Sequence, residues 1–399
     1  MVKMTKKHFI ALKSQKFKVI KLTCRFFCSI IPLVRIKRMS FYRKEDGIMK
    51  KSTKIVSLLL AAACAASMTG CGGSGSTATT AAASKAETEA ASSEEAKSEA
   101  AASTDGKTYK VGICQLVQHV ALDAATQGFK DALTDALGDA VTFDEQNAQG
   151  DSNTCSTIIN SFVSNKVDLI LANATPALQA AQAGTNKIPV LGTAVTEYGV
   201  ALGIDGFDGL VGGNISGTSD LAPLDEQAAM LHELFPDAKN VGLLYCSAEA
   251  NSQYQVDTVK AALEEMGYTC EYYAFSDSND LATITTNAAT NSDVIYIPTD
   301  NTAAANTEII NNICQPAKVP VIAGEEGICS GCGVATLSIS YYDLGVATGK
   351  MAVKVLTGEA NISEMPVEYA PQFTKKYNKT ICDALEIKVP DDYVAIEEE

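Results

Sequence analysis

Short polar segments that directly follow apolar runs contain the residues of this sequence best suited to chemistry. They are rich in hydroxyls, amides and carboxylates, the groups that orient a small molecule in a cleft. No nucleophile, base and acid occur there in a recognisable spacing, and no Gly-x-Ser-x-Gly segment is present, so we predict a binding site and not an enzyme. The candidate ligand-binding residues are Gln115, His119, Asp123, Thr175, Thr218, Ser219, Asp220, Glu249, Asn251, Ser252, Thr299, Asp300, Asn301, Glu325 and Tyr341.

Several of these residues also have a purely structural explanation. Thr175, Ser252 and Asp300 each precede or open a predicted helix and are good N-caps. Asp123 would complement the dipole of its own helix, and Tyr341 could belong to the core. The gathering of so many such segments at one predicted edge favours a site.

The segments are placed by strands that alternate with helices, which is the pattern of a parallel sheet covered by helices on both faces. Ligands of such sheets bind outside the carboxyl ends of the strands, beside helix N-termini. Predicted strands cover residues 109–114, 141–144, 168–172, 189–193, 241–246, 270–275, 294–298 and 319–324, and predicted helices cover residues 121–137, 155–164, 175–183, 254–266, 281–289, 301–313 and 341–356.

The second half of this series repeats the first. Val-Gly at residues 111–112 stands 18 residues before a helical lysine, and the same interval follows Val-Gly at residues 241–242. Asp168 and Asp293 both open apolar runs, and Ile-Pro-Val and Val-Pro-Val follow in the same order. A repeat of this length is a whole lobe. We therefore predict two doubly wound α/β lobes with a ligand cleft between them.

The cysteines could suggest a metal or redox site. Cys329 and Cys332 form a CxxC pair, which is compatible with a metal pair, a redox pair or a local disulfide. A second pair at similar spacing is missing, and after residue 70 the only histidines are His119 and His232. Small buried thiols with at most one disulfide are favoured, and we expect no metal and no cofactor.

The sequence around Cys71 predicts secretion and lipidation. Residues 49–70 contain a Met-Lys-Lys start, a short apolar run and small residues before Cys71, as in a lipoprotein signal peptide. The alternative, a membrane anchor helix, would need about 20 apolar residues. We interpret residues 1–48 as an over-extended start, and residues 71–106 as an acylated cysteine followed by a disordered Ala/Ser/Thr/Glu tether.

The charge distribution excludes several partners. Residues 1–70 hold 16 of the 32 basic and 2 of the 47 acidic residues, which leaves residues 71–399 with 16 basic and 45 acidic residues, a net charge of −29. All four arginines lie before residue 71, and the sequence has no Trp. So acidic a surface repels nucleic acid. Without arginine, a bound anion must be held by helix N-termini, backbone N–H groups and hydroxyls.

Residues 111–133, 218–220, 242–252, 297–301 and 333–358 resemble the ABC-transporter substrate-binding lipoproteins of the tryptophan/tyrosine type. The resemblance implies the periplasmic-binding-protein type I fold, an α/β architecture of two lobes joined by three crossovers. We expect residues 107–216 plus 328–358 to form lobe 1 and residues 217–327 plus 359–399 to form lobe 2. Val120, where the family pattern has proline, and Cys114 are departures that leave the pocket wall beside Gln115 undefined.

The same resemblance implies closure on an aromatic amino acid, that is tryptophan, tyrosine or phenylalanine. Its carboxylate would lie near Thr175, Thr218 and Ser219, its ammonium near Asp300 or Glu325 aided by Asn301, and its side chain beside Tyr341. A sugar or nucleoside is the alternative ligand, because the same fold binds both. The expected partners are the ligand, an ABC permease and, through the lipid, the outer face of the bacterial cytoplasmic membrane, with the protein itself a monomer.

Overall fold

The computed structural model describes residues 106–370 and 372–397. The predicted signal peptide, Cys71 and nearly all of the tether lie outside these residues. The strands are β1 (Tyr109–Gln115), β2 (Val141–Asn147), β3 (Leu169–Asn173), β4 (Val190–Val195), β5 (Ile215–Ser219), β6 (Asn240–Cys246), β7 (Thr269–Phe275), β8 (Val294–Ile297), β9 (Val321–Ala323), β10 (Ala335–Ser338), β11 (Glu368–Tyr369), β12 (Thr374–Tyr377) and β13 (Val394–Ala395).

The α-helices follow the strands in alternation. They are α1 (Val120–Leu137), α2 (Ser152–Asn165), α3 (Thr175–Gly184), α4 (Tyr198–Leu202), α5 (Leu224–Leu234), α6 (Ala250–Glu265), α7 (Ser278–Asn291), α8 (Asn301–Ala304), α9 (Thr307–Ala317), α10 (Glu326–Cys332), α11 (Tyr341–Thr357) and α12 (Lys379–Leu385). None of the helices in the described residues is long and apolar enough to span a membrane.

The strands form two sheets, which confirms the predicted pair of α/β lobes. The first sheet has the order β11-β5-β4-β3-β1-β2 and the second β13-β12-β10-β9-β8-β6-β7. The five consecutive strands of each lobe therefore have the same order. The repeated aspartates make equivalent hydrogen bonds in the two lobes. Asp168 Oδ2 accepts the N–H of Lys110 at 2.7 Å, and Asp293 Oδ2 accepts the N–H of Asn240 at 2.8 Å. Each aspartate holds the start of the first strand of its lobe.

One predicted helix, residues 301–313, is wrong: the segment contains the two helices α8 and α9. Asp300 caps α8 through a hydrogen bond from the N–H of Ala303. Asn306 Nδ2 then donates to the carbonyl of Thr302 at 2.8 Å, taking the acceptor that a continuing helix would use. The short helix α8 therefore ends beside the carboxyl edge of the sheet, and a second helix leaves it.

The chain passes between the sheets three times, after β5, after β10 and after β11. The passages confirm the predicted crossovers, but sheet membership differs from the expected lobe boundaries. Strands β5 and β11 belong wholly to the first sheet, although 217–219 and 368–369 were expected in lobe 2. Helix α10 and strand β10 belong with the second sheet, although residues 328–338 were expected in lobe 1. Hydrophobic pattern identifies a strand but not the neighbour with which it pairs.

Glycines bring α11 close to α1, and this contact positions Tyr341, the first residue of α11. A Cβ atom on Gly128 would meet the backbone of Tyr342, and one on Gly345 would meet the backbone of Ala125. Because both contacts are backbone, neither neighbour can move aside. The N-terminus of α11, with Tyr341, is therefore fixed against the first turns of α1.

Candidate ligand-binding site

The carboxyl ends of the two sheets face one another across a cleft. His119, in the loop after β1, lies 3.2 Å (Nε2 to Oδ1) from Asn301, which opens α8 in the other lobe. A cavity of about 230 Å³ beside this contact is lined by Leu116 and Pro176 from the first lobe and by Cys246 and Thr302 from the second. The lobes therefore lie close together.

Buried polar atoms without a partner are concentrated at this cleft. Seven such side-chain atoms occur in the described residues, and five of them lie at or just beyond the carboxyl ends of strands. Burying a polar atom without a hydrogen bond is costly, so a group of such atoms in one place marks a candidate ligand-binding site. These five, called the unpaired cleft atoms below, are His119 Nδ1, Asn173 Oδ1, Thr175 Oγ1, Asp220 Oδ1 and Asn251 Oδ1.

Helix α3 provides a place for an anion. Its N-cap is Ala174, which has no side-chain oxygen and adopts a φ of 89°, a conformation that non-glycine residues rarely take. Pro176 follows in the first turn. Thr175 is only 1% exposed, and its Oγ1 is one of the unpaired cleft atoms. An open helix N-terminus beside a buried hydroxyl suits a carboxylate.

Asp220 provides a place for a cation. It is 3% exposed and lies just after β5, where Oδ2 accepts a hydrogen bond of 2.9 Å from the hydroxyl of Tyr341. Its Oδ1 belongs to the unpaired cleft atoms. Burial raises the pKa of this carboxyl above its ordinary value, since its hydrogen bonds compensate only in part. A bound ammonium would remove that cost.

Glu249, at the N-cap of α6, organises the second lobe's side of the cleft. Its two carboxylate oxygens accept the N–H groups of Asn301 (3.1 Å) and Thr302 (2.9 Å) and the Nδ2 of Asn301 (2.6 Å). The side chain of Asn301 is thereby oriented with Oδ1 towards His119. Burial lowers the pKa of His119, although its hydrogen bond with Asn301 opposes the shift.

Asp300 and Glu325, the two carboxylates expected to bind an ammonium group, are both occupied as helix caps. Asp300 accepts the N–H of Ala303 at 2.8 Å and that of Cys246 at 2.6 Å. Glu325 accepts the N–H groups of Gly327 and Ile328 at the start of α10. Burial raises the pKa of each carboxyl to about 7, with the Glu249 charge adding to the shift of Asp300.

Other predicted residues hold the walls of the cleft. Gln115 donates to Asp123 at 2.6 Å and accepts from Thr126, so it shapes the loop that carries His119; Asp123 itself is exposed. The hydroxyl of Thr218 lies 2.7 Å from that of Thr348 inside the first lobe.

The remaining predicted residues are held by backbone groups and by each other. Ser219 donates to the carbonyl of Thr196. Ser252 is fully buried, and its hydroxyl oxygen accepts a hydrogen bond of 3.3 Å from Nδ2 of Asn251. Thr299, half-buried, holds the carbonyl of Gly324 at 3.4 Å.

Asn173 is a cleft residue that the candidate list omits. It ends β3, is fully buried, and its Nδ2 donates to the carbonyl of Leu122 and to the hydroxyl of Thr126. Its Oδ1 remains among the unpaired cleft atoms. Its position at the carboxyl end of a predicted strand, equivalent to that of Gln115, was the signal available in the sequence.

In the part of the chain that the structure describes, the cysteines are not grouped as metal ligands. All eight cysteines in the described residues are free and buried, and no group of three metal-ligating side chains occurs there. Cys329 and Cys332 lie in α10, where burial raises the pKa of both thiols well above its ordinary value.

Comparison with known proteins identifies the family. The sequence model described as ABC transporter substrate binding protein matches residues 110–398. A tyrosine-binding protein of Clostridioides difficile (strain R20291) is 36% identical over 345 residues, covering 85% of this chain and 94% of that protein.

Two solved structures have the same fold. An ABC domain from Streptococcus pneumonia in complex with L-Trp has a TM-score of 0.68 at 34% identity, covering 71% of this chain and 97% of that one. A ligand-free, open substrate binding protein with adhesive properties from Clostridium difficile has a TM-score of 0.57 at 37% identity, covering 73% of this chain and all of the other. Proteins of this family bind a solute outside the cytoplasm and are transport components, not enzymes. The chain belongs to the family of ABC transporter substrate-binding proteins.

Proposed function

We propose that this protein is the receptor of an ABC importer and that its two lobes close on an aromatic amino acid. The observation that supports the proposal is that one cleft holds both a group suited to a cation and a group suited to an anion. Asp220 offers a buried carboxylate oxygen free for an ammonium, and α3 with Thr175 offers an open helix N-terminus for a carboxylate. An α-amino acid carries both charges on one carbon, and it satisfies both groups at once.

The relatives support an aromatic side chain. One is named a tyrosine-binding protein and another was solved with L-Trp. The TM-score is higher with the L-Trp complex (0.68) than with the open, ligand-free structure (0.57), although the open structure has the higher sequence identity. The lobes here are thus closer to the ligand-bound arrangement. Tyr341, buried beside Asp220, is a candidate wall for the aromatic ring.

Closure about the three crossovers would bury the ligand and bring the surfaces of both lobes into one arrangement that a permease can recognise. The lobes we propose are residues 107–219 with 341–369 and residues 224–338 with 374–397, as revised by sheet membership. We also propose that the protein acts as a monomer, since the cleft lies between two lobes of the same chain.

Binding can be tested by tryptophan fluorescence, because the protein itself contains no Trp. The fluorescence of L-tryptophan therefore reports its own binding directly. We expect L-tryptophan, L-tyrosine or L-phenylalanine to raise the melting temperature by mass action. If none of the three does so, and a pentose or nucleoside does, the amino-acid proposal is wrong and the protein binds a sugar or nucleoside.

We also propose that residues 49–70 are removed as a signal peptide, that residues 1–48 are lost with them, and that Cys71 carries the lipid. Residues 71–106 would then tether the lobes to the outer face of the membrane, roughly 30–35 Å of flexible chain. Mass spectrometry of the membrane-bound protein should find a diacylated N-terminal Cys71, and Cys71→Ser should release the protein into the medium. Recovery of residues 1–48 in the mature protein would contradict this proposal.

A further inference from the structure

We propose that His119 determines the specificity of the cleft by accepting, through Nδ1, a hydrogen bond from the side chain of the ligand. The ligand would then be an aromatic amino acid whose ring carries a donor, a phenol O–H or an indole N–H. A plain phenyl ring would be disfavoured. This inference rests on the proposed binding of an aromatic amino acid, and it adds which ring the cleft selects and by which atom.

The tautomer of His119 follows from a chain of fixed hydrogen bonds. The carboxylate of Glu249 only accepts, so Asn301 must direct Nδ2 towards it and Oδ1 towards His119. That oxygen also only accepts, so Nε2 of a neutral His119 carries the proton. Burial lowers the pKa of His119 and so favours the neutral ring. Nδ1 is then a lone-pair acceptor, buried and without a partner in the described part of the protein.

The unsatisfied acceptors lie too far apart to be served by one ammonium group. Asn173 and Asn251 each direct Nδ2 at a backbone carbonyl, so Oδ1 of both is an acceptor. Together with Asp220 Oδ1 and His119 Nδ1, four buried acceptors remain at the carboxyl ends of the strands. An ammonium nitrogen bonds only acceptors within about 3 Å of it, and the ligand's carboxylate has no donor. An acceptor far from the ammonium therefore needs a donor on the ligand's side chain.

The strand order indicates that, in the first lobe, His119 is the acceptor farthest from the ammonium. In the first sheet, Asp220 follows β5, Asn173 and Thr175 lie at the end of β3, and the His119 loop follows β1. Neighbouring strands are about 4.8 Å apart, which puts β1 three spacings, or about 14 Å, from β5. The amino and carboxylate groups held near β5 and β3 direct the side chain towards β1. His119, at the end of that path, meets the tip of the ring.

The first experiment compares ligands on the unaltered protein by isothermal titration calorimetry. An unpaired buried acceptor costs enough to change affinity about tenfold or more. We therefore expect L-tyrosine or L-tryptophan to bind at least about tenfold more tightly than L-phenylalanine and than 4-fluoro-L-phenylalanine, which fills a similar volume without a donor. Equal affinities for all of these ligands would overturn the inference while leaving the proposed function intact. No binding of any of them would instead refute the proposed function itself.

The second experiment removes the acceptor. In His119→Leu the contact with Asn301 is lost for every ligand alike, so all affinities fall, but the ratio between the donor-bearing ligands and L-phenylalanine should collapse towards one. Gln118→Ala, in the same loop and exposed, should keep the ratio of the unaltered protein. A ratio that survives in His119→Leu would overturn the assignment. If this variant does not fold, His119→Phe provides the same comparison, and the ligand series on the unaltered protein already tests the inference.

Discussion

Replacing Asp220 by asparagine separates the role of its charge from its role in packing. The carboxylate is 3% exposed, and one oxygen accepts the hydroxyl of Tyr341 while the other is among the unpaired cleft atoms. An asparagine oxygen can keep the bond from Tyr341. Only the negative charge facing the ligand is removed, so Asp220→Asn changes ligand binding without opening a cavity.

The expected magnitude follows from the burial of the site. Removing one partner of a buried ion pair costs about 3–5 kcal/mol, because the other charge stays buried and uncompensated. With about 1.4 kcal/mol for each factor of ten, the affinity for the amino acid should fall roughly a hundredfold to several thousandfold. The ligand-free protein should show the opposite trend. Because burial raises the pKa of Asp220, its ionised form is unfavourable in the empty cleft, and Asp220→Asn should be at least as stable.

The assay is titration with L-tryptophan, monitored by its fluorescence, together with urea unfolding in the absence of ligand. Asp225→Asn is the matched control, since it removes the same charge from an exposed residue of α5 nearby. An affinity within threefold of the unaltered protein would refute the ammonium assignment. If Asp300→Asn abolished binding at the same time, the ammonium would lie at Asp300, and the helix cap there would be its second role.

Three further outcomes are expected. Burial raises the pKa of Glu325 to about 7, so this residue stabilises the fold fully below its ordinary carboxyl pKa and loses that contribution, roughly 3 kcal/mol in all, as the pH rises to about 7. In urea unfolding at pH 5 and pH 7, Glu325→Gln should therefore lack this part of the pH dependence of the free energy of unfolding. A difference between the two pH values equal to that of the unaltered protein would contradict the prediction. Gly345→Val should lower the melting temperature and weaken ligand binding, because its Cβ would push α11 away from the backbone of Ala125, and a variant as stable as the unaltered protein would contradict the close packing. Cys329 and Cys332 should resist iodoacetamide in the folded protein and react after unfolding, since both thiols are buried with raised pKa values; rapid labelling without denaturant would show that α10 opens.

The duplicated α/β fold was predictable because its signals are local. Alternation of strands and helices, and the equivalence of Asp168 with Asp293, depend on residues near one another in the chain. The lobe boundaries were not predictable in the same way. Strand β10 joins the second sheet because it pairs with β9 and β12, and β11 returns to the first by pairing with β5. These strands pair with segments that can be far away in the sequence, and the hydrophobic pattern of a strand does not indicate which segment it pairs with.

The candidate site was predicted at the level of loops and not of atoms. Asp300 and Glu325 were identified as acidic residues at the right edge, but a carboxylate that precedes a helix can serve the helix or the ligand, and here both cap their helices. Asp220 lies three residues before the N-cap of α5 and caps no helix, so one of its oxygens is left over. Asn173 was omitted because an asparagine at a strand end has the same local sequence signal whether or not its amide is satisfied.

The two walls of the cleft differ in chemistry because the two lobes have different residues at equivalent positions. His119 and Glu249 occupy the same position, the N-cap of the helix that follows the first strand of each lobe. Neither caps its own helix through a side-chain hydrogen bond. Glu249 instead turns its carboxylate to the start of α8, while His119 reaches across to Asn301 in that same segment. The two equivalent residues thus meet on one asparagine. In the contact between the lobes, His119 of the first lobe is the hydrogen-bond donor and Asn301 of the second, held by Glu249, is the acceptor. Two identical lobes could not provide this asymmetry.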